Sequence, residues 1–324
     1  MAKQVAVIVG GESLLGKEIH ELAGDRFRLR VLGGEEENIA VIEQVEDEPA
    51  LMATLDKKSL ADAELVVLTA ASPVICKQAI KWAPKGVPVI DAKGLLDENP
   101  GARLYRDGGE KAKLLIIPAA AAQVLADCLI TLQSVQAVGH SVVTILEPAS
   151  EWGQAGVAEL QGQAISLLSF KPLKKELFDG QVAFNLLSAF GEESAMKLQE
   201  KEARIGRHLA SLLAARKGPP LPSIRLVSAP VFHGYTMSLW VEFEAAPKLE
   251  KLEAALAKAG VDVRGPSLEP PDNSGIAQQN GYAVGSIHVD RNNPKALWMW
   301  LAADNVRIVA NTTVAAMEFA GGKA

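Results

Sequence analysis

The N-terminal segment constrains the fold of this chain more than any other feature. The run Val5–Val9 is continuous, apolar and rich in β-branched residues, which is typical of a strand buried on both faces of a parallel sheet. It ends at Gly10, and the apolar residues between Leu14 and Leu22 then recur at helical spacing. The segment therefore predicts a strand, a tight glycine turn and a helix packed close to the strand.

Further strand and helix candidates alternate through the first part of the chain. Strands are predicted at Arg28–Leu32, Leu65–Leu68, Val87–Ile90 and Leu114–Ile117, and helices at Pro49–Leu55, Pro73–Trp82 and Gln123–Leu132. Alternation of this kind predicts an α/β fold with a doubly wound parallel sheet, the type of sheet that binds dinucleotides.

The pattern changes after about residue 133. The candidate elements become longer, with strands at Ser141–Leu146, Ile224–Val227 and Ser238–Glu244 and helices at Glu159–Leu168 and Glu192–Ala215. A chain of 324 residues is also long enough for two domains. We therefore predict a first domain over residues 1–133, completed by a C-terminal helix over 305–324, and a second α+β domain over 134–304.

The composition of the chain indicates which kinds of partner the protein can bind and in which cellular compartment it is found. A formal net charge of −6 gives no electrostatic reason to bind nucleic acid or an anionic membrane. No apolar run approaches the roughly 20 residues that span a bilayer, and the N-terminal run lacks the form of a signal peptide. The two cysteines, Cys76 and Cys128, are too few for a disulfide framework and are typical of buried packing, so we expect a cytoplasmic protein.

The turn after the first strand carries part of a dinucleotide-binding signature. Gly10 and Gly16 stand in register with its first and last glycines, whereas Ser13 takes the middle position. The carboxylate of Glu12 would oppose a bound pyrophosphate. Two interpretations remain open, namely a working phosphate site that includes Gly11 and a glycine turn that only joins the strand to the helix.

The end of the second predicted strand bears on the choice of cofactor. Glu35, Glu36 and Glu37 supply three carboxylates and no arginine, where the 2′-phosphate of NADP would need basic or hydroxyl partners. Glu35 could hold the ribose diol of NAD, and the alternative is a solvated acidic loop. If a cofactor binds, we therefore expect NAD rather than NADP.

Four short segments carry a family resemblance. They are EPASEWGQAGVAELQGQAISLL at 147–168, QVAFN at 181–185, APVFHGY at 229–235 and ADNVR at 303–307. In order and spacing they resemble aspartate-semialdehyde dehydrogenases, especially the Usg-type homologues that share the AFN and APVF-x-G segments. The resemblance implies a Rossmann-like N-terminal domain, a C-terminal domain of the glyceraldehyde-3-phosphate-dehydrogenase type, NAD or NADP binding and a homodimer formed through the second domain.

The resemblance also locates the positions that carry chemistry in active members. Their nucleophilic cysteine lies in a Pro-Asn-Cys-Ser-Thr segment, which matches Pro118–Ala122 and puts Ala120 in its place. Their glutamine matches Glu147, their substrate-binding arginine matches Ser228 and their histidine base matches Tyr235. Because alanine has no nucleophilic atom, we expect no intact catalytic residue here, and we expect no metal site.

Some polar positions of the family's site are retained. Ser150 and Gly153 remain from a Ser-Gly-x-Gly loop, in which Trp152 brings a large ring that could fill the cofactor site. Asn305 is retained at the nicotinamide end, and a helix cap is the other interpretation of this residue. The family's phosphate-binding lysine has no clear match within Lys197–Arg207.

Three functions remain open from the sequence. The first is a catalytically silent dimer, which the joint replacement of nucleophile, base and carboxylate clamp favours. The second is an active NAD-dependent oxidoreductase on a different substrate, in which Tyr235 donates a proton if its pKa is lowered. The third is a sensor that binds a cofactor or another small-molecule ligand without turnover.

Overall fold

The chain folds into two units, each built around a six-stranded sheet. The computed structural model describes residues 3–34, 42–45, 48–51, 53–70, 72–106 and 109–322. Residues 1–119 and 309–324 form the first unit, and residues 120–308 form the second. No helix among these described ranges has the length and apolar character needed to cross a bilayer.

The first unit contains a parallel sheet with strand order β2-β1-β5-β6-β8-β7. Its elements are β1 (Val5–Val9), α1 (Leu14–Ala23), β2 (Arg28–Leu32), β3 (Ile42–Val45), β4 (Glu48–Leu51), β5 (Leu65–Leu68), α2 (Pro73–Trp82), β6 (Val89–Asp91), β7 (Ala102–Leu104) and β8 (Leu114–Ile116). The predicted strand, turn and helix at the N-terminus are confirmed, and Val7, Ile8 and Val9 are fully buried.

The second unit contains a mixed sheet with strand order β10-β9-β11-β14-β13-β12. Its elements are α3 (Ala120–Val135), β9 (Val138–Glu147), α4 (Gly153–Leu168), α5 (Leu198–Ala215), β10 (Ser223–Ser228), β11 (Tyr235–Phe243), α6 (Leu249–Lys258), β12 (Asp262–Arg264), β13 (Tyr282–Val289), β14 (Ala296–Ala303) and the start of α7 (Asn305–Ala320). The predicted fold class, a parallel α/β sheet with a second α+β domain, is therefore confirmed.

Two predicted helices are wrong in part. The segment predicted as a helix over Pro49–Leu55 begins instead with β4, which pairs antiparallel with β3. Backbone pairing with a neighbouring strand overrides the weak apolar periodicity of so short a segment. The helix predicted from Glu192 begins only at Leu198. The Ser194 hydroxyl donates to the Leu177 carbonyl, and this bond holds the segment before Leu198 in a loop.

The unit boundary differs from the sequence prediction by one helix. We predicted the boundary at residue 133, whereas helix α3 groups with the second unit because it packs against α5 and α6. In the first unit, the final residues of α7 contact the sheet domain through an ion pair between Arg26 and Glu318 at 2.9 Å. The rings of Tyr105 and Phe319 also meet edge to face, with centroids 5.9 Å apart.

The glycine turn after β1 is fixed by close backbone approach. Gly10 has a φ of +89°, and a Cβ atom there would lie 2.4 Å from the backbone nitrogen of Ala70. A Cβ atom at Gly16 would lie 2.6 Å from the Gly10 carbonyl oxygen. The hydroxyl of Ser13 accepts the Gly16 N–H at 3.0 Å and caps α1. The turn therefore needs glycine at both ends for steric reasons, whether or not it binds a phosphate.

Replacing Gly10 by alanine should destabilise the protein more than replacing Gly86 does. Both glycines have a φ of +89°, but a Cβ atom at Gly86 meets nothing within 4 Å. We expect Gly86→Ala to cost about 1–2 kcal/mol for the left-handed backbone. Gly10→Ala should cost roughly 1–3 kcal/mol more because of the added clash. Urea unfolding followed by circular dichroism measures both, and equal losses would contradict the steric explanation.

Candidate functional site

Most positions singled out by the family resemblance lie at the ends of elements of the second unit. Glu147 ends β9, Ser228 ends β10, Tyr235 begins β11 and Asn305 begins α7. Ser228 is the register partner of Glu147, and β11 runs antiparallel to β9 on its other side. All four side chains are buried at this edge of the sheet. Ala120, the first residue of α3, is 3% exposed and presents only a methyl group.

A buried lysine that the sequence left unassigned lies at this edge. The Nζ atom of Lys201 is 3.0 Å from Glu147 Oε2 and 2.7 Å from Glu151 Oε2. It also lies 4.3 Å from the centre of the Trp152 ring, within the range of a cation–π contact. The Lys201 side chain is 4% exposed and that of Glu147 is fully buried. One ammonium group is thus enclosed by two carboxylates and an indole.

The sequence did contain a signal for this lysine. Lys201 lies three residues after Leu198 and four before Ile205, both of which are buried on α5. It therefore occupies the apolar face of an amphipathic helix, where a charged side chain must find a partner. Its partners are about 50 residues earlier in the chain, so their identity required the structure.

Asn305 holds one of the two carboxylates in place. Its Oδ1 atom accepts the Gly234 N–H at 3.0 Å and the Ser150 hydroxyl at 3.2 Å, and its Nδ2 donates to Glu151 Oε1 at 3.0 Å. The cap of α7 is the preceding residue, Asp304, which accepts the N–H groups of Val306 and Arg307, both at 2.9 Å. The interpretation of Asn305 as the helix cap is therefore wrong.

Burial and neighbouring charges shift the pKa values of the acidic groups. Burial raises the pKa of Glu147, and this effect exceeds the opposing attraction of the Lys201 ammonium. Burial also acts to raise the pKa of Glu151, but Lys201 and the Asn305 amide outweigh it, so this pKa is lowered. Because Lys201 contacts both carboxylates, the protonation of the two groups is linked.

Tyr235 is a poor proton donor in this environment. Burial, followed by the charges of Glu151 and Glu147, raises the pKa of Tyr235 well above its usual value. Its hydroxyl lies 3.5 Å from Glu147 Oε2, to which it donates. The lowered pKa that the oxidoreductase alternative requires is therefore not found at Tyr235.

Neither cysteine is placed to act as a nucleophile. Cys76 and Cys128 are both fully buried, and burial is the main cause that raises the pKa of each thiol to about 12. A thiol in such a state is not ionised at neutral pH. Within the described part of the chain, no group of three or more His, Cys, Asp or Glu side chains is arranged to hold a metal ion.

In the first unit, side chains already occupy amides around the glycine turn. Glu12 Oε1 accepts the N–H of Gly34 at 3.0 Å, and Ser13 accepts that of Gly16. Gly11 is buried, and a Cβ atom there would lie 2.0 Å from a methyl carbon of the Val31 side chain. The predicted ribose partner, Glu35, lies outside the described residues with Glu36 and Glu37.

The retained loop of the second unit forms a short turn that leads into α4. Ser150 belongs to this turn, and Gly153, with a φ of +71°, begins the helix. The ring of Trp152 packs edge to face on Phe178 and Phe190, with centroid distances of 6.5 and 5.5 Å. Trp152 therefore has a fixed position, with Lys201 over its ring.

Comparison with known proteins identifies relatives of both units. A family model described as semialdehyde dehydrogenase, dimerisation domain, matches residues 132–308. A USG-1 protein homolog of Azotobacter vinelandii is 30% identical over 78% of this chain and 77% of its own length. An aspartate-semialdehyde dehydrogenase of Rickettsia bellii is 23% identical over 93% and 92% of the two chains. The solved structure of a probable aspartate-semialdehyde dehydrogenase from Pseudomonas aeruginosa has a TM-score of 0.83, at 25% identity, and covers 98% and 99% of the two chains.

Removing the charge of Lys201 should strongly destabilise the second unit. Lys201→Met leaves buried Glu147 without its cation and Glu151 with only the charge of Arg204, and we expect a loss of about 3–5 kcal/mol in urea unfolding. Adding Glu147→Gln to this variant should recover part of the loss, because one uncompensated charge is removed. If the losses of unfolding free energy caused by Lys201→Met and by Glu147→Gln simply add in the double variant, the ion-pair assignment is contradicted.

The pH dependence of the unfolding free energy of Lys201→Met gives a second test. Without Lys201 the folded-state pKa values of both carboxyl groups rise above the ordinary glutamate value of about 4.3. The penalty for burying the charges is therefore absent below that value and grows as the pH rises through the raised folded-state pKa values. The difference in unfolding free energy between wild type and Lys201→Met should therefore grow as the pH rises from about 5 to about 8. A difference that does not change with pH would contradict the model.

Proposed function

Since this chain belongs to the aspartate-semialdehyde dehydrogenase family, we propose that it is a catalytically silent member that keeps the fold and the dimer but does not oxidise a semialdehyde. The observation that carries this proposal is the enclosed ion pair of Lys201 with Glu147 and Glu151. It occupies the sheet edge at which the family resemblance places the glutamine, the arginine and the histidine of active members.

The chemistry of the family requires groups that this chain replaces. Covalent oxidation of an aldehyde needs a thiolate, a base and a clamp for the substrate carboxylate. Ala120 has no nucleophilic atom, Ser228 carries no charge and Tyr235 holds its proton firmly. Glu147 is a buried acid, and the ammonium beside it is already held by two carboxylates instead of being free for a substrate carboxylate. These four replacements support a pseudoenzyme.

Cofactor binding is a property of the family, and here we propose that it is weak or lost. At the glycine turn the N–H groups of Gly10 and Gly11 already donate to the Leu32 carbonyl and that of Gly16 to the Ser13 hydroxyl, so a pyrophosphate would have to displace these bonds. In the second unit the polar groups of Ser150 and Asn305 are already hydrogen-bonded to each other. If either nucleotide binds, we propose NAD over NADP because of Glu35–Glu37.

The second unit offers a face for the homodimer. Val142, Trp240 and Trp298 are register partners on three adjacent strands and therefore lie side by side on one face of the sheet. Val142 is 45% exposed and Trp298 is 38% exposed. The indole N–H groups of Trp240 and Trp298 both donate to Asp290 Oδ2, at 2.9 and 2.8 Å. We propose a cytoplasmic homodimer that packs through this face.

The dimer is tested by placing a charge on that face. Trp298→Glu should convert the dimer to a monomer in sedimentation equilibrium, because the buried charge would lack a partner. Val74→Glu is the matched control, since Val74 is 60% exposed in the first unit, and this variant should remain dimeric. A dimer that survives Trp298→Glu would place the interface elsewhere.

Restoring the nucleophile alone should not restore activity. We expect Ala120→Cys to show no phosphate-dependent reduction of NAD or NADP with aspartate semialdehyde, because clamp and base stay absent. Spectrophotometric detection of the reduced cofactor measures this, with an active aspartate-semialdehyde dehydrogenase as the control. Turnover by Ala120→Cys would refute the proposed loss of function.

Cofactor titration separates the silent dimer from a sensor. We expect no increase in melting temperature with either NAD or NADP up to millimolar concentration. A ligand that binds only the folded state adds about 2.7 kcal/mol at a hundredfold excess over its Kd, so real binding would be visible. A saturable shift with NAD would favour the sensor, and a stronger shift with NADP would contradict the proposed preference.

A further inference from the structure

We propose that the cluster around Lys201 is a recognition site for a primary ammonium group, which the chain's own lysine occupies. The inference goes beyond the loss of catalysis, because it assigns a ligand class to a site that would otherwise count only as a degenerate remnant.

The surroundings of the Lys201 Nζ atom are those of an amine-binding site. Two carboxylate oxygens lie 3.0 and 2.7 Å from it, on Glu147 and Glu151. The face of Trp152 lies 4.3 Å away, where the ring quadrupole attracts a cation. A primary ammonium supplies three N–H donors and one positive charge, which matches two carboxylates and an aromatic wall.

The walls of this site are fixed by contacts that do not involve Lys201. Asn305 donates to Glu151 Oε1 and is itself held by the Gly234 N–H and the Ser150 hydroxyl. Tyr235 donates to Glu147 Oε2. These residues come from β9, the turn before α4, β11 with its preceding loop, and α7, whereas the ammonium comes from α5. The site should therefore keep its shape when only the lysine side chain is removed.

The site also carries more acceptor capacity than Lys201 uses. Two carboxylates lie within ion-pair distance of one ammonium, but in the part of the chain that the structure describes both Glu147 Oε1 and Lys201 Nζ are buried without a partner in hydrogen-bonding geometry. Most buried oxygens of this kind are hydrogen-bonded. The excess of acceptors favours a cation that donates several hydrogen bonds over one that only neutralises charge.

Chemical rescue tests the proposal. Lys201→Ala removes three side-chain carbons and the amine, so n-propylammonium chloride is the probe that restores the missing atoms. We expect a saturable rise in the melting temperature of this variant, on the order of 5 °C, and no rise for wild type. Tetramethylammonium, propanol, sodium and potassium at the same concentration should give at most a tenth of the effect.

Two variants serve as controls. Lys201→Met fills most of the space without a charge, and propylammonium should not stabilise it. Lys197 lies at the N-cap of α5, the helix that carries Lys201, and its amine donates to the Glu192 carbonyl instead of to a carboxylate. The melting temperature of Lys197→Ala should therefore not rise with propylammonium either. A response of all variants alike would identify a general salt effect and overturn the proposal.

The test remains decisive if Lys201→Ala does not stay folded. Refolding of the urea-denatured variant is then the measurement, and we expect at least a tenfold higher yield in propylammonium chloride than in potassium chloride. Equal refolding yields in propylammonium chloride and potassium chloride would show that the pocket has no preference for an ammonium group. Equal stabilisation of the folded variant by propylammonium and by potassium would show the same. The result is independent of whether wild type has dehydrogenase activity.

Discussion

The stability of this sheet edge depends on the buried charge of Lys201. Moving an ammonium and a carboxylate out of water costs several kcal/mol per ion, so a buried ion persists only when its partners are close and well oriented. Here Glu147 and Glu151 flank the ammonium while Asn305 and Tyr235 orient the two carboxylates. Strand ends, a turn and two helices must therefore meet at one place. The strand ends and the turn hold the two carboxylates, and the ammonium between them offsets the cost of burying their charges.

The backbone positions at this sheet edge and the side chains that occupy them can be considered separately. The sheet edge keeps its topology, with Glu147 and Ser228 in register and Tyr235 on the adjacent strand. The groups at those positions are an acid, a hydroxyl and a phenol that holds its proton. Tyr235 donates to Glu147, and Glu147 contacts Lys201, so these groups interact with one another as a stabilising network requires. A catalytic site instead directs such groups at a substrate.

Sequence reasoning succeeded where one physical cause dominates. The run Val5–Val9 predicts a central strand because burial on both faces demands continuous apolar residues. It failed over Pro49–Leu55, where pairing with another strand outweighs local pattern. Asp304 and Asn305 are adjacent good helix caps, so only the structure separates the cap from the site residue. Lys201 was visible as a misplaced charge, but its partners are distant in sequence.

The two tryptophans on the exposed sheet face have a consequence for association. Trp240 and Trp298 donate to the same carboxylate oxygen of Asp290, so their rotamers are fixed before any partner arrives. Ordering a flexible side chain on binding costs about 0.5–1.5 kcal/mol, and this cost is already met in the free chain. A surface prepared in this way loses less conformational entropy when it is covered than one on which both indoles turn freely.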